Sequence, residues 1–162
     1  MNTTITAHDW VDAVPFRAWV RQLVSDTGLP WRVIARAAGV SSATVHALLV
    51  GRDGRLVRRL RQMDGRLLLQ VSHQRLAALD GEPASCDSLR ALAWSLGLRG
   101  CRPAEIADFT GVDALSIRTL MAGGPIWCSR LQLIRAEAAC EAWGVDPNRV
   151  LWANTASARL SA

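Results

Sequence analysis

The chain contains no lysine and no tyrosine, so arginine supplies all 19 of its basic side chains. The absence of lysine excludes the Gly-x-x-x-x-Gly-Lys loop with which many nucleotide-binding proteins hold a phosphate. The sequence also lacks the Gly-x-Ser-x-Gly elbow that presents the nucleophile of many hydrolases. These absences favour a protein that is not an enzyme.

Long apolar runs and a secretory signal are missing as well. No stretch reaches the roughly 18 consecutive apolar residues that a membrane-spanning helix needs. The segment 1–9 has no basic patch followed by an apolar core. We therefore expect a cytoplasmic protein, associated with the nucleoid if it binds DNA, and no membrane partner.

Four cysteines, at positions 86, 101, 128 and 140, all lie in the second half of the chain. None of their spacings is that of a zinc knuckle, and the three histidines all lie in the first half. The four cysteines are either buried thiols or part of a metal or redox site, and a reducing cytoplasm favours buried thiols. The sequence therefore predicts no cofactor and no metal.

The positive charge of the chain comes from its first half. Residues 1–80 hold 11 Arg and 6 Asp, whereas residues 81–162 hold 8 Arg and 8 acidic residues, so the net charge of +5 belongs to the first segment. A basic half is typical of a protein that binds a polyanion, although an ordinary solvated surface has the same composition. Charge alone leaves both interpretations open.

Apolar residues recur at helical spacing through most of the sequence, and the alternation typical of strands is missing. This pattern, with Gly and Pro at the joints, predicts an all-α fold with helices at about 10–25, 30–38, 42–50, 56–70, 72–79, 86–96, 103–109, 113–122, 129–143 and 147–153. A polar segment with Gly and Pro at 80–85 predicts a linker. We expect tandem domains at 9–80 and 84–155, each with about five helices.

A segment of the first half recurs 72 residues later. Residues 34–51 and 106–123 align without gaps, and six positions are identical: Ile34/Ile106, Ala35/Ala107, Gly39/Gly111, Val40/Val112, Leu48/Leu120 and Gly51/Gly123. In the first copy, Gly39 suits the left-handed backbone that ends a helix, and Ser41 can cap the next one. The pattern predicts two short helices joined by a glycine turn, which is a helix-turn-helix.

The first copy, Leu-Pro-Trp-Arg-Val-Ile-Ala-Arg-Ala-Ala-Gly-Val-Ser-Ser-Ala-Thr-Val-His-Ala-Leu-Leu-Val-Gly at 29–51, resembles the helix-turn-helix of the Cro and phage-repressor (Xre-type) family. The resemblance covers about 22 residues per copy and implies five-helix domains that bind double-stranded DNA. It also implies that side chains just after the turn read bases. The missing lysine and tyrosine are typical of GC-rich coding sequences, which suggests an actinobacterial or actinophage source.

The predicted DNA interface centres on the second helix of the first copy. Small or polar side chains lie at helical spacing on its outer face, as a helix in a major groove requires. The arginines that follow can neutralise phosphates. The candidate contacts are Ser41, Ser42, Ala43, Thr44, His46, Ala47, Arg52, Arg55, Arg58 and Arg59.

The second copy is less suited to DNA than the first. Asp113 replaces Ser41, and a carboxylate caps a helix well but repels a phosphate. Arg118 can still read a guanine, and the candidate contacts are Ala114, Leu115, Ser116, Arg118 and Thr119. This copy either contacts a second DNA site, pairs with another subunit or supports the first domain.

The leading hypothesis is a repressor-like regulator of transcription that binds double-stranded DNA, as a pseudo-dimeric monomer or as a homodimer. The alternative is a helix-turn-helix module for protein interaction, with only the first domain on DNA. The seven tryptophans fit either hypothesis, since they can pack in a core or, where exposed, mark a partner surface.

Overall fold

The computed structural model describes residues 9–160, and the side chains of residues 9–156. These residues form two short strands and ten helices: β1 (Trp10–Asp12), α1 (Val14–Thr27), α2 (Trp31–Ala38), α3 (Ser42–Val50), β2 (Arg59–Arg61), α4 (Gln62–Gln70), α5 (His73–Gly81), α6 (Cys86–Leu98), α7 (Pro103–Thr110), α8 (Ala114–Met121), α9 (Arg130–Ala142) and α10 (Pro147–Leu160). The mostly helical structure confirms the all-α prediction. Within residues 9–160, no helix has both the length and the apolar character needed to cross a membrane.

Contacts between residues divide the chain into two compact units, Met1–Leu76 and Ala77–Ala162. The division falls within α5 and therefore lies a few residues before the linker that the sequence suggests at 80–85. The tandem domains 9–80 and 84–155 remain a prediction.

In the first unit, α1 packs against α2, α3 and α4. The indole Nε1 of Trp19 on α1 donates to the carbonyls of Leu68 and Val71, which lie at the end of α4. Gly65 lets α4 approach α1 closely, because a Cβ at this position would lie 2.7 Å from the ring of Phe16. The largest fully buried side chains of this core are Val20, Leu23, Val33, Ile34, Leu48 and Leu68.

Two strands replace helix that the sequence pattern predicts at 10–25 and 56–70. β1 and β2 pair antiparallel, with Trp10 opposite Arg61 and Asp12 opposite Arg59. Leu60 is buried between two exposed arginines, which is the alternation of a half-buried strand. The prediction of helix at 10–12 and 56–61, and of no strands, is therefore wrong.

The second unit is built around α6, which packs against α9 and α10, while α7 packs against α8 and α9. Its fully buried side chains are mostly leucine and isoleucine at helical spacing: Leu89, Leu92, Leu96, Ile106, Ile117 and Leu120. The sequence pattern locates the helices of this unit to within a few residues, except that α10 continues well beyond 153.

The repeated segment has the same local structure in both units. In each copy an eight-residue helix ends at a glycine with a left-handed backbone, Gly39 (φ 72°) or Gly111 (φ 75°). Two residues later, a capping side chain accepts a bond from the backbone N–H three positions on, Ser41 from Thr44 or Asp113 from Ser116. Each copy is thus a pair of short helices joined by a glycine turn.

Candidate nucleic-acid interface

Helix α3 has one buried side and one exposed side. Val45 and Leu48 are buried in the core of the first unit. Ala43, His46 and Val50 are exposed on the opposite side, and we call these three residues the α3 face. They follow the i, i+3, i+7 spacing of one helix face. Ser41, at the N-cap, is exposed, whereas Ser42 and Thr44 are half-buried.

Ala47 is not on this exposed side. It is only 5% exposed and, together with Leu48 and Leu60, lines a groove of about 300 Å³ between α3 and β2. The prediction that Ala47 lies on the outer face is therefore wrong. The reason is that the chain turns back after α3, so that residues of the segment 52–61 line a groove beside a side that an isolated helix would expose.

A cluster of three side chains extends the α3 face toward the first turn of α2. The rings of His46 and Trp31 have centroids 5.7 Å apart, and the guanidinium of Arg32 lies 4.4 Å from the centre of the Trp31 ring. A cation at this distance is attracted to the indole ring. Trp31 and Arg32 are thereby added to the candidate site, which the sequence alone did not indicate.

The chain after α3 forms an extended, basic segment at residues 51–61, which we call the arginine arm. It begins with a tight hairpin turn, in which the backbone N–H groups of Arg52 and Arg55 each donate to the other's carbonyl at 2.9 Å. Asp53 (φ 51°) and Gly54 (φ 74°) occupy the turn. Positive φ at both central residues is the geometry of a type I′ hairpin, for which Asp-Gly is a preferred pair.

The arginine arm concentrates the positive charge of the first unit. It contains five arginines and one aspartate, a balance of +4 in 11 residues. All five arginine side chains are exposed: Arg52, Arg55, Arg58, Arg59 and Arg61. The four arginines that were predicted as phosphate contacts are therefore accessible, and they directly follow the helix that carries the α3 face.

The arm is fastened to the body of the first unit along its second half. Its β2 segment pairs with β1, and the N–H of Ala13 donates to the carbonyl of Arg58 at 3.0 Å. The guanidinium of Arg61 lies 5.9 Å from the ring of Trp10, its cross-strand neighbour. These contacts hold the arginines of the arm on a defined backbone.

Arg17 on α1 also joins α3 and the arm, a connection that the sequence alone did not reveal. Its side chain is 8% exposed, its Nε donates to the carbonyl of Leu48 and its Nη2 donates to the carbonyl of Val57, both at 2.6 Å. Its neighbour Arg21 donates to the carbonyl of Leu49 at 3.2 Å. Carbonyls in the last turn of a helix have no partner within the helix, so these arginines satisfy them.

In the second unit, the corresponding helix α8 exposes one large apolar side chain together with two polar ones. Leu115 is 71% exposed, Arg118 and Thr119 are also exposed, and Ala114 and Ser116 are half-buried. The Nε of Arg118 donates to the carbonyl of Ala114, so this side chain lies along its own helix. Leu115, Arg118 and Thr119 are exposed, as the repeat predicts, whereas Ala114 is half-buried. Leu115 stands where α3 has the small Ala43, so this face is bulkier than the α3 face.

The N-terminus of α8 carries a fixed negative charge. Asp113 accepts a bond from the N–H of Ser116 at 2.9 Å, and its hydrogen bonds to Ser116 hold the pKa of the Asp113 carboxyl below its usual value. The residues after α8, 122–129, contain no arginine, and Trp127 among them is 65% exposed. Asp113, unlike Ser41, has no hydroxyl group that could donate a hydrogen bond to a phosphate. The segment after α8 is also no counterpart of the arginine arm.

The four cysteines form no disulfide. The Sγ atoms of Cys86 and Cys128 lie 3.7 Å apart. Burial, and a hydrogen bond with Cys86, raise the pKa of the Cys128 thiol to about 12, so it stays protonated at neutral pH. Among the residues that the structure describes, no group of three or more His, Cys, Asp or Glu side chains could hold a metal ion.

No protein-family model, no curated protein sequence and no solved structure matches this chain.

Proposed function

We propose that the first unit binds double-stranded DNA and that the protein regulates transcription in this way. The α3 face would lie in the major groove, and the arginine arm would contact the phosphates beside it. The observation that carries the proposal is that the α3 face, which exposes the small Ala43 and the polar His46 beside Val50, is followed directly in the chain by a segment with five exposed arginines.

The α3 face has the chemistry for contact with base edges. The methyl group of Ala43 can contact a thymine methyl group, and the imidazole of His46 can form one hydrogen bond with a base. Ser41 and the N-terminus of α3 offer donors to a phosphate. Few side chains here form two hydrogen bonds to one base, so base reading would be modest and phosphate contacts would supply much of the affinity.

Helix α3 by itself reads one half-site. Helix-turn-helix proteins commonly pair two reading helices, one helical turn of DNA apart. The second reader would be the first unit of another copy, or α8 of the same chain. The carboxylate of Asp113 and the neutral loop after α8 favour another copy.

A second candidate function concerns the second unit. Leu115 and Trp127 are large apolar side chains that are mostly exposed, and such residues are more typical of protein interfaces than of DNA interfaces. The second unit would then bind another protein, while the first unit holds DNA.

The direct test of DNA binding is a fluorescence-anisotropy titration of the full chain against a mixed-sequence duplex at several salt concentrations. Each neutralised phosphate contributes roughly −0.9 to the slope of log K against log salt, so contacts by four or five arginines predict a slope of about −4. Absence of binding at low salt, or an affinity that salt does not change, would contradict the proposal. A single strand of the same sequence is the control, and we expect it to bind more weakly.

A further inference from the structure

Each unit contains one arginine that joins the end of the second repeat helix to the segment that follows it. In the first unit, Arg17 donates to the carbonyls of Leu48, in the last turn of α3, and Val57, in the arginine arm. In the second unit, Arg90 on α6 donates from Nε to the carbonyl of Leu120 at 2.9 Å and from Nη2 to that of Gly124 at 3.2 Å.

Sequence comparison does not reveal this correspondence. Leu48 and Leu120 occupy the same position of the 72-residue repeat, but Arg17 and Arg90 are 73 residues apart. Aligned at a spacing of 72, Arg17 therefore meets Leu89 instead of Arg90. The same pair of contacts nevertheless recurs, which argues that it is a feature of the fold and not an accident of one unit.

The chemistry of this contact requires arginine. A guanidinium is a rigid planar group with five N–H donors, so one side chain can bond two carbonyls that belong to different segments. Lysine keeps the charge, but its three N–H donors share one nitrogen atom at the end of a flexible stem, so it cannot hold two separate carbonyls from two nitrogen atoms in a fixed planar geometry. An Arg→Lys substitution thus preserves the charge of the chain and removes the two-point connection.

We propose that Arg17 is a positioning residue for DNA binding, because it fixes the arginine arm relative to the α3 face. The inference rests on the proposed function of the first unit. The carbonyls of Leu48 and Val57 lie nine residues apart along the chain, and a single buried side chain bonds both. When α3 and the arm are already held in one arrangement, base contacts and phosphate contacts can form together. Binding then carries no added entropic cost for ordering the arm.

The second unit supplies a matched control for this inference. Arg90 makes the same two-point contact and, in addition, an ion pair with the exposed Asp87, but the segment that it joins to α8 carries no arginine arm. Arg90→Lys should therefore cost the chain folding stability without changing DNA binding. Arg21→Lys is a further control, since Arg21 makes a single contact, to the carbonyl of Leu49, and is exposed.

The experiment measures Tm, DNA affinity and salt slope for the full chain and for the variants Arg17→Lys, Arg90→Lys and Arg21→Lys, with the mixed-sequence duplex as ligand. We expect Arg17→Lys and Arg90→Lys both to lower Tm. Arg17→Lys alone should also weaken binding about tenfold and make the salt slope shallower by about 1 to 2, because arm arginines lose contact with phosphates. A purely structural role would not change the slope of the folded protein.

Two results would overturn the inference, and they differ from failure of the proposed function. The first is that Arg17→Lys lowers Tm but leaves the affinity and the salt slope unchanged. The second is that Arg90→Lys changes the affinity and the salt slope as much as Arg17→Lys does. In either case Arg17 has no special part in binding. If the unsubstituted chain does not bind, the proposed function fails and takes this inference with it. Should Arg17→Lys be unfolded at the assay temperature, all four proteins are titrated in sucrose, which favours the folded state.

Discussion

Replacing Gly51 with alanine is expected to lower the free energy of unfolding of the first unit by about 2–3 kcal/mol and DNA affinity by at least tenfold. Gly51 has φ 97° and ψ −175°, a region that is almost confined to glycine. A Cβ there would also collide with the backbone carbonyl group of Arg55. The arm would have to shift away from the end of α3, which separates the arginines from the α3 face.

The repeat provides the control for this substitution. Gly123 is the counterpart of Gly51 and also has a positive φ of 88°, but a Cβ at Gly123 would meet no atom within 4 Å. Gly123→Ala should therefore cost only the backbone strain, about 1 kcal/mol, and leave DNA binding unchanged. Urea unfolding and anisotropy titrations measure both quantities. Equal losses of affinity in the two variants would show that the turn at Gly51 has no specific part in binding.

Removing two arm arginines together, Arg52→Ala with Arg59→Ala, is expected to weaken binding to every duplex by roughly 10- to 100-fold and to make the salt slope shallower by about 2. Both side chains are exposed and have no ionic partner among the described salt bridges, so the loss of stability should be small. Because phosphate contacts carry no base information, the loss should not depend on sequence.

A double variant with the same change in net charge tests whether the position of the charge matters. Arg130 and Arg149 are exposed arginines of the second unit, and replacing both with alanine removes two positive charges far from the arm in sequence. We expect this variant to bind DNA almost as tightly as the unsubstituted chain. If both double variants lose affinity equally, binding responds to the overall charge of the protein and the arm is not the contact surface.

Local sequence patterns predicted most of the helices and the glycine turn of the repeat. The position of α3 at 42–50 follows from signals within a few residues of each other: a left-handed glycine, a capping serine and apolar residues at helical spacing. Such signals determine the conformation of the neighbouring backbone, and the tertiary contacts of this fold favour the same conformation. The same holds for α8, where Asp113 replaces serine as the cap.

The sequence indicated the arginines of the arm but not its extended structure, because that structure depends on a distant partner. Residues 59–61 read Arg-Leu-Arg, which fits a helix as well as a strand, and pairing with Trp10–Asp12, about 50 residues earlier, decides between them. A local signal did exist, since Asp53-Gly54 is a typical hairpin dipeptide. The burial of Ala47 is linked to the same pairing, because the returning arm lines the groove beside a side of α3 that the repeat pattern treats as open.

Arg17 shows a different limit of sequence reasoning. An arginine in an amphipathic helix is ordinarily placed on the solvated side, since arginine is rarely buried without partners. Here the partners are two backbone carbonyls, 31 and 40 residues away in the chain. Backbone carbonyls are present at every residue, so no side-chain pattern can reveal that these two are aligned with Arg17.

The most direct test of the central claim is an NMR titration of the isotope-labelled full chain with a short duplex, read from the backbone amide shifts. DNA binding by the first unit predicts the largest changes at 41–46 and 52–59, with little change in helix α9 (Arg130–Ala142) of the second unit. Changes confined to the second unit, or no change at a duplex concentration that saturates the salt-dependent binding, would contradict the claim.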